Sequence, residues 1–429
     1  MAFAEKLEFA DRTIVVNGRD YHAPSRPTVV ICLDGSEPGY IEEAIKAGVA
    51  PTFARFIKEG AHVHANSVIP SFTNPNNLSI ITGRPPSVHG IAGNYFYDAA
   101  NDREVMMNDP QFLRSPTILA GMFEAGFKVA AVTAKDKLRT LLSHGLDYTS
   151  GRAIAFSSEK ADQATKKDNG IDDLLNFVGL PLPEVYSADL SRFVFAAGVK
   201  LVEHHRPDLM YLSTTDYIQH KVGPGTKIAN DFYAMIDGYL GQLDALGCNV
   251  VATADHGMND KYTPDGKPDV LYLQDLFDEW VGKGKARVIL PITDPYVAHH
   301  GSLGSFATIY TPPGSNVAEL IARLRATVGV ELALTRNAAC NRFELPIDRV
   351  GDIVVISTRH KVLGTSVARH DLSGLTEPLR SHGGTTEERV PIIANRKIVL
   401  PAGHLLRNFD VFDVALNRLQ QASAVRSVQ

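Results

Sequence analysis

Thr28-Val29-Val30-Ile31-Cys32-Leu33, followed by Asp34-Gly35, is the stretch on which the reading of the chain turns. A continuous apolar run of this length fits a strand buried on both faces, the form strands take in a parallel sheet. Further runs of similar texture follow at 61–68, 128–133, 208–212, 249–253 and 390–394. Helical patterns separate them at 50–59, 116–124, 187–203 and 228–246, and 408–419 reads as a closing helix. Buried strands alternating with helices predict an α/β fold with a mainly parallel central sheet flanked by helices. In such sheets ligands sit beyond the C-terminal strand ends. Asp34-Gly35, Lys135 with Lys137, Ser213-Thr214-Thr215-Asp216 and Ala254-Asp255-His256-Gly257 all fall at such ends.

Outside this pattern, residues 13–21 read as a hairpin around Asn17-Gly18, and 150–185 resists assignment. From about 261 to 370 the texture changes to frequent turns, short strand-like runs (288–291, 305–310, 352–357) and one amphipathic helix at 316–326. This predicts a core domain of residues 1–260 and 371–429 with a smaller α+β cap, 261–370, inserted into it.

The 429 residues carry a formal net charge of −5, which gives no electrostatic case for nucleic acid. No stretch approaches the apolar length of a membrane span, and residues 1–12 lack the apolar centre of a secretory signal. Cys32, Cys248 and Cys340 are widely spaced and odd in number, so no disulfide framework or zinc finger is expected. A cytoplasmic location fits. Fifteen histidines are the unusual figure, and they raise the question of metal.

Ser71-Phe72-Thr73-Asn74-Pro75-Asn76-Asn77 is polar and runs into a short helical pattern closed by Gly83. It places the Thr73 hydroxyl in a loop before a helix N-terminus, where an anion is favoured. Read alone, Thr73 or Asn74 is more simply a helix cap. Asp216 and His220 stand at i, i+4 and would share a helix face. Asp34, Asp255-His256 and His382 each have an ordinary turn reading in isolation. Together they make a set of three aspartates, three histidines and a threonine. Mixed carboxylate and imidazole donors suit Zn²⁺, with Mn²⁺ or Fe²⁺ as substitutes. Six such ligands suffice for two sites, and two metals roughly 3.5–4 Å apart clamp both oxygens of a displacement at phosphorus.

The order and local sequences of these motifs resemble the alkaline phosphatase superfamily. Phe72-Thr73-Asn74-Pro75-Asn76 with Thr82-Gly83, His89-Gly90-Ile91 with Asn94, Asp216-x-x-x-His220, Asp255-His256-Gly257-Met258 and His382-Gly383 are similar to its nucleotide pyrophosphatase/phosphodiesterase branch. Within that branch, nearly the full length is most similar to hydrolases of phosphonoacetate. The resemblance implies one zinc at Asp216, His220 and His382, and a second at Asp34, Asp255, His256 and the Thr73 oxygen. It implies Thr73 as a zinc-activated nucleophile passing through a phosphothreonine intermediate, and Asn94 as a donor to a phosphoryl oxygen.

The implied reaction splits a carbon–phosphorus bond to give acetate and phosphate, so the leaving group is a carbanion. Its adjacent carboxylate must accept charge, which requires fixed cations there. Lys135 and Lys137 are the local candidates and match a lysine pair of the family. The expected partner is a small phosphonate, with no nucleic acid and no membrane; a homodimer is left open. The alternative is a two-zinc nucleotide pyrophosphatase/phosphodiesterase. Arg84 and Arg380 read more simply as surface arginines than as anion contacts, His204-His205 as a helix end facing solvent or the dipole, His62 and His64 as same-face strand residues, and His299-His300 as a loop pair rather than a third metal site.

Overall fold

The computed structural model describes residues 12–293, 301–373, 375, 377–401 and 403–420. Residues 1–11 and the His299-His300 pair lie outside the described residues. No helix among the described residues is long and apolar enough to cross a membrane.

Thr28–Cys32 is a strand at the centre of a seven-stranded sheet. The order across the sheet is Ala61–Asn66, Arg389–Ala394, Asn249–Thr253, Thr28–Cys32, Leu209–Ser213, Val129–Thr133 and Ala153–Ser157. The last five are mutually parallel, while Arg389–Ala394 runs antiparallel to both of its neighbours. The sheet is therefore mixed, with one reversed strand in an otherwise parallel array.

Alternation along the central strand explains its apolar run. Val29, Ile31 and Leu33 pack into the core on one face of the sheet, and Val30 and Cys32 into the core on the other. The first core is closed by Asp189–His204, Lys227–Ala245 and Pro51–Glu59, and the second by Thr73–Thr82 and Ile118–Glu124. Each fully buried Val or Ile side chain contributes about 1.5–3 kcal/mol of transfer free energy.

Register sets the functional edge. Thr253, Cys32, Ser213, Thr133 and Ser157 stand in one row across the five parallel strands. The residues that follow each strand therefore emerge at the same height. Because Arg389–Ala394 is reversed, the segment before it, including His382, approaches this same edge.

A second, four-stranded antiparallel sheet joins Arg287–Ile289, Phe306–Tyr310, Ile353–Ser357 and Val330–Thr335. With Leu273–Val281, Val317–Ala326 and Arg336–Phe343 it surrounds its own apolar core. Ile69 and Phe72, from the stretch before Thr73, are buried in that same core.

Two elements differ from the sequence reading. Ala153–Ser157, in the unassigned region, is a fully buried edge strand. Residues 408–418 do not form one helix but a 3₁₀ turn, a short α turn and a π turn in succession. The first turn is pinned by the Asn408 amide, which donates to Asn76 Oδ1 and to the carbonyls of Ala254 and Asp255.

Candidate active site

A cavity of about 570 Å³ opens over the C-terminal edge of the sheet. Asp34, Thr73, Asn94, Lys135, Lys137, Asp216, His220 and His382 line it. Asp255 and His256 lie fully buried beneath them. The residues singled out from separate strand ends thus come together in one place.

Thr73 is the first residue of the helix Thr73–Thr82, not a loop residue before it. Phe72 occupies the cap position, and no side chain caps the helix. Asn74 does not cap it either; its amide donates to Asn108 Oδ1 at 3.2 Å. The helix ends at Gly83 with φ +66°, a left-handed C-cap that glycine adopts without steric cost. The Thr73 hydroxyl is thereby held on the first helical turn at the cavity wall.

Three imidazoles share one arrangement. Nδ1 of His220 donates to the Arg380 carbonyl at 2.7 Å, Nδ1 of His256 to Gly257 at 2.9 Å, and Nδ1 of His382 to Ser71 at 2.7 Å. A ring that spends its Nδ1 proton on a carbonyl has Nε2 left to meet a cation or, in its absence, to turn a proton toward a neighbouring carboxylate. His220 Nε2 is 2.9 Å from Asp216 Oδ2, and His382 Nε2 is 3.6 Å from the same oxygen. His256 Nε2 is 3.4 Å from Asp34 Oδ1 and 3.6 Å from Asp255 Oδ2. The rings of His256 and His382 stack at 3.6 Å.

These atoms fit a cation. Asp34 Oδ1 and His256 Nε2 are buried and have no hydrogen-bond partner among the described residues, a costly condition for polar atoms unless a ligand satisfies them. The donor atoms of Asp216, His220 and His382 all lie within 4.8 Å of one another, and so do those of Asp34, Asp216 and His256. Asp216 belongs to both groups, so its carboxylate lies between them. Asp255 Oδ2 lies 3.6 Å from the same His256 Nε2, and the Asp255 oxygens also accept from the N–H groups of Gly35 and His256 and from Asn77 Nδ2.

The electrostatics match. Burial, with Asp216 and Asp255 close by, pushes the Asp34 carboxyl well above the usual carboxylate range. Burial also raises Asp255. Burial acts upward on Asp216 too, but His220, His382 and His256 together outweigh it and hold it well below that range. His382 is driven well below the usual imidazole value by burial and by His256. A neutral imidazole and a crowded set of carboxylates are what a divalent cation requires.

Asn94 lines the cavity; its Oδ1 accepts the Asn74 N–H at 3.2 Å, and its NH₂ group is the part of the amide that can donate. Lys135 and Lys137 flank the start of the helix Asp136–Leu142, one residue past the Val129–Thr133 strand end. Lys135 Nζ donates to the Val185 carbonyl at 3.2 Å, lies 3.9 Å from Glu159 Oε1 and stands 5.4 Å from the centre of the Tyr186 ring. Glu159 Oε2 also accepts the Asp136 N–H at 2.8 Å, which fixes the turn carrying both lysines.

Sequence reasoning missed several residues here. Asn77 Nδ2 bridges the Thr73 carbonyl and Asp255, while its Oδ1 accepts from Tyr211 and Ser213. Its only signal was i, i+4 spacing from Thr73. The Thr214 hydroxyl accepts the Asp34 N–H at 2.9 Å. Arg380 is not a surface residue: it is buried against the Gln219 carbonyl, Tyr40 and Asp260. Arg84 Nε donates to the Asn17 carbonyl and lies away from the cavity. His204 and His205 pack on Phe177, and His62 packs edge-on against His64, all outside the cavity.

In comparison with known proteins, the chain is 59% identical to phosphonoacetate hydrolase from Sinorhizobium meliloti 1021, solved in complex with phosphonoacetate and also with phosphonoformate. That match covers 95% of this chain and 98% of the other, with a TM-score of 0.92. Murine ectonucleotide pyrophosphatase/phosphodiesterase 5 shares the fold at 18% identity, covering 92% and 96% of the two chains with a TM-score of 0.61. Among curated relatives, an uncharacterised pyrophosphatase/phosphodiesterase of Schizosaccharomyces pombe is 23% identical over 58% of this chain and 47% of its own length. Human ectonucleotide pyrophosphatase/phosphodiesterase family member 1 is 27% identical over 54% of this chain and 23% of its own. The chain thus spans less than half the length of these curated relatives. The family described as type I phosphodiesterase/nucleotide pyrophosphatase matches residues 28–384. With that match over most of its length, the chain belongs to this family, the nucleotide pyrophosphatase/phosphodiesterase branch of the alkaline phosphatase superfamily.

Proposed function

We propose that the chain is a phosphonoacetate hydrolase, releasing acetate and phosphate. The observation that carries this reading is one cavity lined both by Thr73 with Asp34, Asp216, His220 and His382 of the Asp/His cluster and by Lys135 and Lys137. The 59% identity to an enzyme of that activity supports it.

Two zinc ions are proposed, one held by Asp216, His220 and His382 and the other by Asp34, Asp255, His256 and Thr73 Oγ1, with Mn²⁺ or Fe²⁺ as substitutes. When bound, they would polarise the phosphoryl oxygens and lower the pKa of the Thr73 hydroxyl. Thr73 Oγ1, its proton given up to solvent, attacks phosphorus and forms the O–P bond of a phosphothreonine as the P–C bond breaks. The electron pair of that bond passes to the methylene carbon and spreads into the carboxylate as an enediolate. Lys135 and Lys137 bind the carboxylate and stabilise the dianion, and a proton taken up from water at carbon completes acetate. The Asn94 NH₂ group donates to a phosphoryl oxygen. Water then cleaves the phosphothreonine, releasing phosphate and restoring Thr73. Residues 261–370 are proposed to act as a cap, and Ile292 from this segment lies in the cavity wall.

The lysines separate this reading from a two-zinc nucleotide pyrophosphatase/phosphodiesterase, the activity after which the matched family is described. Lys135→Ala and Lys137→Ala are each expected to lower kcat for phosphonoacetate by about 10²–10³, the usual effect of removing one charge-stabilising group. An aryl phosphodiester would be cleaved about as before. Loss of diester cleavage with phosphonoacetate turnover intact contradicts the assignment.

A further inference from the structure

His382 sits in a turn, residues 381–384, that is gripped from two sides. On the side of the proposed nucleophile stands Ser71, two residues before Thr73. Its carbonyl accepts from His382 Nδ1 at 2.7 Å, its Oγ donates to the Gly384 carbonyl at 2.8 Å, and the same Oγ accepts the Gly383 N–H at 3.1 Å. The Ser71 N–H completes the set by donating to the Gly383 carbonyl at 3.2 Å. On the other side, the Ser305 N–H donates to the His382 carbonyl at 2.8 Å, and Glu387 Oε2 accepts the Gly384 N–H at 2.9 Å. Gly383 has φ +121°, and a Cβ there would stand 2.3 Å from the Phe72 ring. The turn is therefore held by Ser71 and Phe72 on one side and by the Ser305 backbone and Glu387 on the other.

Glu387 Oε1 is itself 3.0 Å from Lys261 Nζ, and both side chains are fully buried. Lys261 spends its remaining protons on Ser305 Oγ at 2.8 Å and the Arg359 carbonyl at 2.6 Å. Lys261, Ser305 and Arg359 all belong to the 261–370 segment. A fully buried ion pair is weak as a stabiliser, because desolvation offsets most of the attraction, and an apolar pair of like volume often serves as well. Its position therefore matters more than its energy: it joins the inserted segment to the turn that aims His382.

We propose that Ser71 and the Lys261–Glu387 pair are positioning residues that couple the seating of the 261–370 segment to the aim of His382 Nε2. Affinity for the metal ion at His382 then depends on how this segment docks. The proposal rests on the reading of Asp216, His220 and His382 as metal ligands.

The test uses the purified full chain, zinc as the probe and competition with a chelator. The parent is expected to hold two equivalents. Ser71→Ala, which keeps the carbonyl that accepts from His382 Nδ1 but removes the Oγ tied to Gly383 and Gly384, and Glu387→Gln, which breaks the buried ion pair, are each expected to release one of them about 10-fold or more readily, the scale of effect seen when the support of a metal-bound histidine is disturbed. Ser71→Thr, which keeps the hydroxyl, is expected to restore retention. The double variant Lys261→Met, Glu387→Met removes both charges together, strands no buried ion, and is expected to lose the same equivalent while remaining folded. Folded variants that hold both equivalents within twofold of the parent overturn the proposal. A parent that takes up no zinc overturns the metal reading beneath it, so the two failures are distinguishable.

Discussion

Thr73 shows how one hydroxyl acquires its setting. Phe72 is buried in the core of the second sheet and occupies the cap position, so Thr73 begins the helix at the cavity wall. Asn77, one turn on, ties the Thr73 carbonyl to Asp255. Thr73→Ala is expected to lower phosphate release by at least about 10³-fold, as removal of a covalent nucleophile does. Bound metal measured in the same sample should remain at two equivalents, or nearly so, because six other ligands persist. Asp34, Asp216, Asp255 and His256 were legible in the sequence because each lies within a few residues of the end of an apolar run. Asn77 and Thr214 were not, because their partners Asp255 and Asp34 lie 178 and 180 residues away. Arg380 was misread for the same reason: its partners Gln219 and Tyr40 are 161 and 340 residues distant.

At the scale of the element, the central strand does most to fix the site. Its register with Leu209–Ser213 and Asn249–Thr253 places three aspartate-bearing ends at one height. Ile31 is fully buried in the core of one sheet face. Ile31→Ala is expected to destabilise by about 2–5 kcal/mol, the range for deleting a large aliphatic side chain from a packed core. Urea denaturation with an unchanged m-value would check this; a loss under about 0.5 kcal/mol would mean that the strand does not carry the core. The parallel strands could be read from their unbroken apolar runs. Ala153–Ser157 could not, because Ala-Ile-Ala-Phe-Ser is short and its burial depends on what packs over it. The direction of Arg389–Ala394 was equally hidden, since apolar content does not distinguish parallel from antiparallel pairing. That reversal is what brings His382 to the functional edge.

Over the whole molecule, the Asp/His cluster links metal, protons and stability. Asp34 and Asp255 are raised by burial and by neighbouring carboxylates. A carboxyl raised in the fold adds stability below its unfolded pKa and loses it as pH climbs through the folded value. The metal-free protein therefore loses the contribution of these two groups as pH rises, and a bound cation displaces their protons more easily. Asp216, held well below the usual range, has the opposite sense, but its contribution is lost only in strong acid. The gap in Tm between metal-loaded and EDTA-treated protein is thus expected to widen from about pH 5.5 to about pH 8; a gap that narrows contradicts this linkage. The central claim is that Thr73, the Asp/His cluster and the lysine pair serve one reaction at one carbon–phosphorus bond. Its most direct test is phosphate and acetate release by the zinc-loaded full chain from phosphonoacetate, set against hydrolysis of a nucleotide or aryl phosphodiester. Equimolar phosphate and acetate, abolished by EDTA and with kcat/KM well above that for the diester, are the expected result. Efficient diester cleavage with phosphonoacetate left intact would contradict it.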